Sequence, residues 1–517
     1  MERKNATLQR MSGMAAAGAG AIHAGVRIAV FAAGALEIMP QGMERIHVVK
    51  APNEKSGFEI ATGVTAAGAR CLITATSAGL NLGCGALIAA NATGISGGLV
   101  VVVVDTPAEN PQDRKAGVPF APARWEQDAR SFGAYAGMAV LDPSTPAEVY
   151  EMTAEAFHLS ERIGRPVLLR LTSRLCSTES TVEILPPGKV RKPHGFHFED
   201  GKPHSLLLTQ VTAKKNKQVI WHTVQKLPDM LSDFPGNRLE DAEDADIGIA
   251  CGGISYTYVS EALRMFANPP PIKVLKAATA PIPSALMESF LWGLETVFVF
   301  EELNPFIEDE IRLAAFRGSH PVDIIGKHSG LVPIAGELSS RLVASTLGLY
   351  LRMTPVVPDT VERGGGAETL RQPVNADGCK ALFSHLHSLK AADNRMPAVC
   401  TDLPTAEGAD VCFCRGAAIS AALGLTAADK TCPCVAVTTE SLFLHSGIAP
   451  LRAAVLSKAS LPIIILTDSE REIPDLPALL HALGAASVTQ AACADAQTVT
   501  DWYTAADGLR VLVVPQP

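Results

Sequence analysis

Residues 97–105, GGLVVVVVD, contain five consecutive valines and end on an aspartate. A strand that is apolar on both faces is typical of a parallel sheet covered by helices on both sides. The run is far shorter than the roughly 20 residues that a membrane-spanning helix needs. Short β-rich runs alternate with helical stretches on either side of it, so we predict parallel sheets with crossover helices.

The first predicted domain comprises residues 1–185 and ends near the sequence LPPGK. Its clearest helix is 146–164, which places Val149, Met152 and Ala156 on one face. Its predicted strands are RIAVF (27–31), IHVVKA (46–51), CLITAT (71–76), LVVVVVD (99–105), AVLD (139–142) and PVLLRLT (166–172).

Two further α/β domains are predicted after residue 185. Residues 186–244 are polar and are expected to form a connector with little regular structure, and residues 351–374 are rich in turn formers and predict a linker. The predicted strands of the second domain, 245–350, lie within 245–253, 272–279, 296–304 and 322–326. Those of the third, 375–517, are 434–440, 462–468, 486–491 and 510–515. The fold class is therefore α/β, with three doubly wound parallel-sheet domains.

The composition argues against several classes of protein. Hydrophobic residues make up 47% of the 517-residue chain and charged residues 19%, which argues against disorder. The net charge of −9 argues against nucleic acid as a partner. The first ten residues, MERKNATLQR, are too polar for a signal peptide, so we expect a soluble cytoplasmic protein without a membrane partner.

The eleven cysteines are scattered along the chain, as expected for reduced thiols. Two pairs, Cys412/Cys414 and Cys432/Cys434, are separated by a single residue. They permit two interpretations, a metal site and small buried apolar residues.

Residues 52–55, PNEK, begin a predicted helix in which Asn53 is the cap and Glu54 lies in the first turn. An acid in this position is stabilised by the helix dipole by roughly 0.3–1 kcal/mol, so Glu54 needs no ligand to explain it. The second interpretation is that Glu54 binds a ligand, and the helix pattern alone leaves both open.

Several motifs occur in order along the chain. They are PNEK (52–55), residues 76–105, EQDAR (126–130), residues 157–174, GIACGGISYTYVSEAL (248–263) and FVFEELNPFIEDEIR (298–312), with weaker matches at 410–424, 439–455 and 463–469. Together they resemble the α subunit of indolepyruvate:ferredoxin oxidoreductase, most clearly over residues 8–350. The resemblance implies pyrimidine-binding, transketolase C-terminal-like and diphosphate-binding domains of the thiamine-diphosphate-enzyme type. Such enzymes oxidatively decarboxylate aryl 2-oxoacids to acyl-CoA and pass the electrons to ferredoxin.

The resemblance also implies roles for individual residues. Glu54 is the carboxylate that shares a proton with the aminopyrimidine ring of thiamine diphosphate. Glu440 and Asp468 replace the family's Asp and Asn as ligands of Mg²⁺, with the family's separation retained. The remaining predicted cofactor-binding residues are Asn53, Gly79, Asn81, Asp402, Gly416, Ser441 and His445. For His445, the alternative is a core histidine.

Some family motifs are altered in this sequence. Thr439 replaces the Gly before the metal-binding acid, and Thr76-Ser77 replaces a Lys-His pair. No clustered-cysteine run follows the third domain, so we expect no iron–sulfur cluster on this chain. Arg170 and Arg174 permit two interpretations, coenzyme A phosphate ligands and surface ion-pair partners.

Two functional hypotheses remain open. In the first, the chain is an enzyme subunit, by resemblance a homodimer, whose clusters come from a β (γ-type) subunit and whose electrons go to ferredoxin. In the second, it is a catalytically impaired family member with a scaffold or regulatory role that no longer binds cofactor.

Overall fold

The structure is a computed structural model that describes most of the chain. The described residues are 6–32, 46–108, 126–190, 210–357, 376–389, 396–403, 408–412, 415–429, 433–467, 475–505 and 508–516. Those up to residue 357 belong to one compact unit and those from residue 376 to a second. No helix among the described residues is long and apolar enough to cross a bilayer.

The first unit contains fourteen strands within its described residues. They are β1 (Thr7–Ser12), β2 (Ile28–Ala32), β3 (His47–Ala51), β4 (Cys71–Thr76), β5 (Leu99–Asp105), β6 (Ala139–Leu141), β7 (Val167–Thr172), β8 (Glu179–Ile184), β9 (Arg238–Glu240), β10 (Ile247–Cys251), β11 (Ile272–Lys276), β12 (Thr279–Ala280), β13 (Thr296–Phe300) and β14 (Asp323–Ile325). Its described helices are α1 (Gly13–His23), α2 (Glu54–Ala66), α3 (Ser77–Thr93), α4 (Ala129–Ala136), α5 (Pro146–Ile163), α6 (Ser173–Ser177), α7 (Gln210–Met230), α8 (Ser255–Leu263), α9 (Ser284–Leu291), α10 (Phe306–Gly318) and α11 (Ser340–Leu351).

A seven-stranded sheet forms the larger part of this unit, with the strand order β12-β6-β7-β5-β4-β2-β3. Its strands are parallel apart from β12, which runs antiparallel to β6. In the central strand β5, Val100, Val102 and Val104 pack with residues of α1 and α5. Val101 and Val103 pack with residues of α2, α3 and α4 on the other face. Helices therefore cover both faces, as the valine run predicts.

The second sheet of this unit has the order β14-β13-β10-β11-β9 and is parallel except for the edge strand β9. Ile249 of β10 packs with residues of α8 and α11, and Ala250 packs with residues of α9 and α10 on the opposite face. This sheet is therefore also doubly wound.

The second unit contains one five-stranded parallel sheet in the order β15-β16-β17-β19-β18. Its described elements are α12 (Ala376–Ser388), β15 (Ala398–Thr401), α13 (Ala418–Ala428), β16 (Cys434–Thr439), α14 (Glu440–Leu442), a π-helical segment (Phe443–Gly447), α15 (Ile448–Leu456), β17 (Pro462–Thr467), α16 (Leu476–Leu483), β18 (Ser487–Gln490), α17 (Ala496–Ala505) and β19 (Arg510–Pro515). Helices pack on both faces. The α/β fold class, with three doubly wound sheets, is confirmed.

One expectation about the fold was wrong. The sequence predicts little regular structure between residues 186 and 244, but Gln210–Met230 forms a 21-residue helix and Arg238–Glu240 forms an edge strand. Leu227 and Leu231 are buried in the core at the end of the helix, and this packing stabilises a segment that is otherwise polar. The predicted linker 351–374 lies mostly outside the described residues.

Arg170 is buried at the carboxyl end of β7 and binds two carboxylates. Its Nε donates to Asp105 Oδ2 at 2.6 Å, and its Nη1 donates to both oxygens of Asp142 at 3.0 Å. Burial raises the pKa of Asp105 to about 6, although Arg170 opposes this shift. Arg170 is therefore an ion-pair partner, but the expectation that it lies at the surface was wrong, because only 2% of its surface is exposed. A contact of Arg170 with coenzyme A remains a prediction.

A second buried arginine joins α4 to the five-stranded sheet of the same unit. Arg130 binds Asp128 through Nη2 at 2.6 Å and Glu301 through Nη1 at 2.8 Å. Glu301 also accepts hydrogen bonds from the backbone N–H groups of Ile307 and Glu308 at the start of α10, both at 2.9 Å. Burial alone raises the pKa of Asp128, but Arg130 and Arg170 outweigh it and hold this pKa below its usual value.

Glu302 and Glu337 form the remaining part of this charged region. Arg174 Nε donates to Glu337 at 3.0 Å, so Arg174 is an ion-pair partner, although a half-buried one. Glu302 accepts a hydrogen bond from the Leu338 backbone N–H at 3.0 Å. Burial and the neighbouring Glu337 raise the pKa of Glu302 to about 7.

We expect the substitution Arg170→Met to lower the free energy of unfolding by roughly 3–5 kcal/mol, because it leaves Asp105 and Asp142 buried without their cation. Arg10→Met is the matched control, since Arg10 pairs with Glu179 at the surface and its loss should cost less than about 1 kcal/mol. Denaturant unfolding followed by circular dichroism measures both. Equal effects of the two substitutions would contradict the structural role of Arg170.

We expect Glu302→Gln to flatten the dependence of stability on pH. A carboxyl whose pKa is raised on folding takes up a proton, so the free energy of unfolding falls as the pH rises from the ordinary pKa of 4.5 towards about 7. The loss over this window is roughly 3 kcal/mol. The variant should therefore be the more stable protein at pH 8, as measured by urea unfolding at several pH values. Glu155→Gln, at an exposed site on α5, should leave the profile unchanged.

Candidate functional site

Glu54 lies at the first residue of α2, directly after β3, and only 2% of its surface is exposed. Asn53 caps the helix, since its side chain accepts a hydrogen bond from the Ser56 backbone N–H at 2.9 Å. The prediction of a helix that begins here is confirmed. The contribution of Asn53 to cofactor binding remains a prediction.

The carboxylate of Glu54 lies against the first turn of α3. A Cβ atom built on Gly79 would lie 2.5 Å from Glu54 Oε1 and 2.7 Å from Glu54 Cδ. The Gly79 N–H donates to Thr76, the N-cap of α3, at 3.1 Å. Glu54 is thus close to the amino-terminal turns of two helices, and both helix dipoles favour its negative charge.

The helices α2 and α3 approach each other closely over two turns. A Cβ atom on Gly83 would lie 2.1 Å from the ring of Phe58, one turn along from Glu54 in α2. Phe58 is completely buried. Gly79 and Gly83 in α3 are four residues apart, as are Glu54 and Phe58 in α2. This matching spacing is a signal of the helix contact that the sequence analysis missed.

The residues that replace the family's Lys-His pair make hydrogen bonds inside the protein. Thr76 caps α3 through its hydroxyl group, and Ser77 donates to Asp105 Oδ1 at 2.8 Å. Asn81, a predicted cofactor residue on the same helix, is exposed, and its amide donates to Gln127 at 2.8 Å. Thr76 and Ser77 carry no positive charge, so they cannot pair with a substrate carboxylate as the family's Lys-His pair could.

In the second unit, Asp402 follows β15 and is buried beside the end of β16. The Thr438 hydroxyl donates to Asp402 Oδ2 at 3.1 Å. Burial raises the pKa of Asp402 to about 6, while Thr438 and the backbone N–H groups of Gly416 and Ala418 lower it. The carboxylate therefore lies at the start of α13. Thr438 is a supporting residue that sequence reasoning missed.

Gly416 has a φ of +73° and packs against Ser446. A Cβ atom on Gly416 would lie 2.3 Å from Ser446 Cβ. Ser446 in turn lies 2.8 Å from Nδ1 of His445, which is buried. Two predicted site residues, Gly416 and His445, therefore meet through Ser446, and the backbone conformation and the packing together account for the glycine.

Glu440 is buried, with 1% of its surface exposed, at the first helical residue after β16. The hydroxyl of Thr439 caps this helix start by accepting a hydrogen bond from the Leu442 backbone N–H at 3.2 Å. Ser441 is half-buried, and its Oγ lies 3.4 Å from the Thr439 hydroxyl. The Thr439 hydroxyl thus occupies the Leu442 N–H group, whereas the family has a glycine without a side chain at this position.

Asp468, the second predicted metal ligand, lies outside the described residues. The described residues contain no group of three or more His, Cys, Asp and Glu side chains that could hold a metal. Cys412 is exposed, contrary to the expectation of a buried thiol, and Cys434 is buried. Cys414 and Cys432 lie outside the described residues.

The residues present fit thiamine diphosphate in part. The buried Glu54 carboxylate suits a group that must hold a proton on a ring nitrogen. Asp402 and Glu440 carry oxygen donors of the type that Mg²⁺ takes. The Thr439 hydroxyl fits less well, because it already accepts from one of the N–H groups at the helix start where a phosphate would bind.

Comparisons with known proteins show which sequences and structures the chain is similar to. Residues 31–230 match the family model described as pyruvate flavodoxin/ferredoxin oxidoreductase, thiamine diphosphate-binding. The chain is 29% identical over 449 residues to indolepyruvate oxidoreductase subunit IorA of Pyrococcus abyssi, covering 81% of this chain and 67% of that one. The subunit of the same name from Archaeoglobus fulgidus is 28% identical over 434 residues, with 81% and 66% covered.

Among solved structures, 2-oxoglutarate:ferredoxin oxidoreductase from Magnetococcus marinus matches with a TM-score of 0.49 and 17% identity, covering 66% of this chain and 65% of that chain. The chain therefore spans about two thirds of the length of the proteins it matches. On the sequence matches, the chain is similar to the indolepyruvate oxidoreductase subunits and, over residues 31–230, to the thiamine-diphosphate-binding region of the pyruvate flavodoxin/ferredoxin oxidoreductases.

Proposed function

We propose that this chain is the thiamine-diphosphate-binding subunit of an oxidoreductase that decarboxylates aryl 2-oxoacids. The observation that carries the proposal is the buried carboxylate of Glu54 at the joined starts of α2 and α3. It lies within the residues that match the thiamine-diphosphate-binding family model. The name of the similar archaeal subunits supports indolepyruvate as the class of substrate.

The proposal assigns a role to each domain. Residues 1–185 bind the aminopyrimidine half of the cofactor, and residues 375–517 bind its diphosphate. Residues 245–350 form the transketolase C-terminal-like domain between them in sequence. The support is the presence of a doubly wound sheet in each of these ranges.

Thiamine diphosphate supplies a nucleophilic thiazolium carbon and accepts the electron pair that decarboxylation releases. Glu54 holds a proton at the ring nitrogen of the aminopyrimidine, and its burial strengthens that hydrogen bond because water does not compete. Gly79 and Asn81 lie on the helix beside Glu54, and Asn53 fixes the start of its helix.

The diphosphate is held through Mg²⁺ by Glu440 and Asp468 in this proposal. Glu440 is one methylene longer than the family's Asp, so its carboxylate would reach Mg²⁺ through a longer side chain. Asp402, Gly416, Ser441 and His445 surround the same edge of the sheet in the second unit. Their role in cofactor binding is supported by their position near the carboxyl ends of β15 and β16, because ligands of parallel sheets bind at these ends.

The proposal includes partners. From the 2-oxoacid and coenzyme A, the products are an acyl-CoA, carbon dioxide, a proton and two electrons, and the electrons leave through iron–sulfur clusters on a β (γ-type) subunit or on ferredoxin. The names of the similar proteins support redox chemistry in an assembly of more than one subunit, because they are called oxidoreductase subunits. A homodimer is part of the proposal by resemblance to the family.

One observation favours the second function, a family member that no longer binds cofactor. The Thr439 side chain fills space beside the helix start and caps the Leu442 N–H. A side chain here hinders the close approach of a phosphate to the backbone, which glycine permits.

We expect wild-type protein to bind thiamine diphosphate with Mg²⁺ in calorimetric titration. Glu440→Ala should weaken binding by at least roughly tenfold, since it removes an oxygen from the metal site. Glu54→Gln should retain most of the affinity but lose roughly 10²-fold or more in turnover of indolepyruvate. Glu59→Gln is the matched control, because Glu59 is an exposed residue of the same helix. Absence of any heat at millimolar cofactor would support the second function instead.

We also expect Thr439→Gly to raise the affinity for thiamine diphosphate, because it opens the approach to the helix start. Replacing a Thr cap by Gly costs only a few tenths of a kcal/mol, so the variant should fold. Thr439→Ser retains the hydroxyl cap and serves as the control. Equal affinities in all three proteins would show that Thr439 does not limit binding.

A further inference from the structure

Helix α3 contains a glycine whose missing side chain makes room for a single functional group. A Cβ atom on Gly79 would lie 2.5 Å from Oε1, 2.6 Å from Cγ and 2.7 Å from Cδ of Glu54. All three nearest atoms thus belong to the carboxyl end of Glu54. Such distances are far below van der Waals contact, so a methyl group and this carboxylate cannot occupy the observed positions together.

The backbone conformation does not explain this glycine. Gly79 lies within the first turn of a regular 17-residue helix, where alanine is the more favourable residue by about 1 kcal/mol. Gly94, by contrast, follows the end of the same helix with a φ of +84°, where glycine suits the backbone. Space is therefore the reason for glycine at residue 79.

The two helices cannot easily move apart to make space. Gly83 packs against the buried ring of Phe58, and Gly57 of α2 packs against Ile73 and Val30 of the sheet. The start of α2 is fixed by Asn53, and the start of α3 is fixed by Thr76. A methyl group at residue 79 would therefore displace the Glu54 side chain before it displaced the helices.

We propose that Gly79 is a positioning residue for Glu54: it provides the space in which the carboxylate is held and so determines where that carboxylate can meet a ligand. The step from position to chemistry rests on the proposed function, in which the ligand is the aminopyrimidine ring. The steric step does not depend on it. Gly79 acts through Glu54 and has no chemistry of its own.

The first test needs no cofactor and is a double-mutant cycle of Gly79→Ala and Glu54→Ala, measured by thermal unfolding. In the wild-type background, Gly79→Ala should lower the unfolding midpoint, because it forces a buried carboxylate out of its place. In the Glu54→Ala background, the same substitution should raise the midpoint, because only the gain in helix propensity remains. Equal shifts in both backgrounds would overturn the proposal.

Two other glycines of α3 provide the controls. A Cβ atom on Gly85 would meet nothing within 4 Å, so Gly85→Ala should raise the midpoint in both backgrounds. Gly83→Ala should lower the midpoint in both, because the ring of Phe58 is displaced whether or not Glu54 is present. Only Gly79 should change sign with the residue at position 54.

The second test examines the functional step with protein that contains thiamine diphosphate and Mg²⁺. The near-ultraviolet circular dichroism band of the bound aminopyrimidine should be lost in Gly79→Ala and retained in Gly85→Ala, with similar cofactor affinity in both. An unchanged band in Gly79→Ala would overturn the positioning role. If wild-type protein binds no thiamine diphosphate, the proposed function fails, whereas the double-mutant cycle still decides the steric proposal.

Discussion

The charge of Arg170, buried between β5 and β6, constrains much of the first unit. A buried guanidinium is tolerated only when carboxylates surround it, and Asp105 and Asp142 provide them. Asp105 also accepts a hydrogen bond from the hydroxyl group of Ser77, the first residue of α3. The start of α3 is therefore tied to Arg170 through two hydrogen bonds. Because Gly79 follows two residues later, the surroundings of Glu54 depend indirectly on the same arginine.

Two of the motifs that carry the resemblance to the indolepyruvate oxidoreductase subunits have structural roles here as well. Asp128 and Arg130 come from EQDAR, and Glu301 comes from FVFEELNP. They meet in a buried ion network that joins the two sheets of the first unit. Motifs rich in charge are often assigned to ligands, but these side chains are enclosed and bind each other. The candidate functional groups of this unit lie instead on α2 and α3.

The sequence allowed the central strands to be predicted almost to the residue, because a strand buried on both faces is a continuous apolar run. Val100 to Val104 is such a run, and Ile463 to Leu466 is another. It did not predict α7, whose exposed face is polar, or the pairing of Arg170 with Asp105, which are 65 residues apart. The position of Glu54 followed from helix-start chemistry, but its contact with Gly79 depends on how two helices cross. No local pattern encodes that crossing.

The antiparallel pair β1 and β8 has a consequence for the order in which the protein forms. Thr7 pairs with Ile184 and Ser12 pairs with Glu179, so β1 pairs with a strand that lies nearly 180 residues later in the sequence. During synthesis, β1 leaves the ribosome long before β8 exists. Four of its six residues are exposed even in the folded protein, so little apolar surface is uncovered meanwhile. The pairing of β1 therefore cannot be complete until residue 184 has been synthesised, and the side chains that β1 exposes are mostly polar.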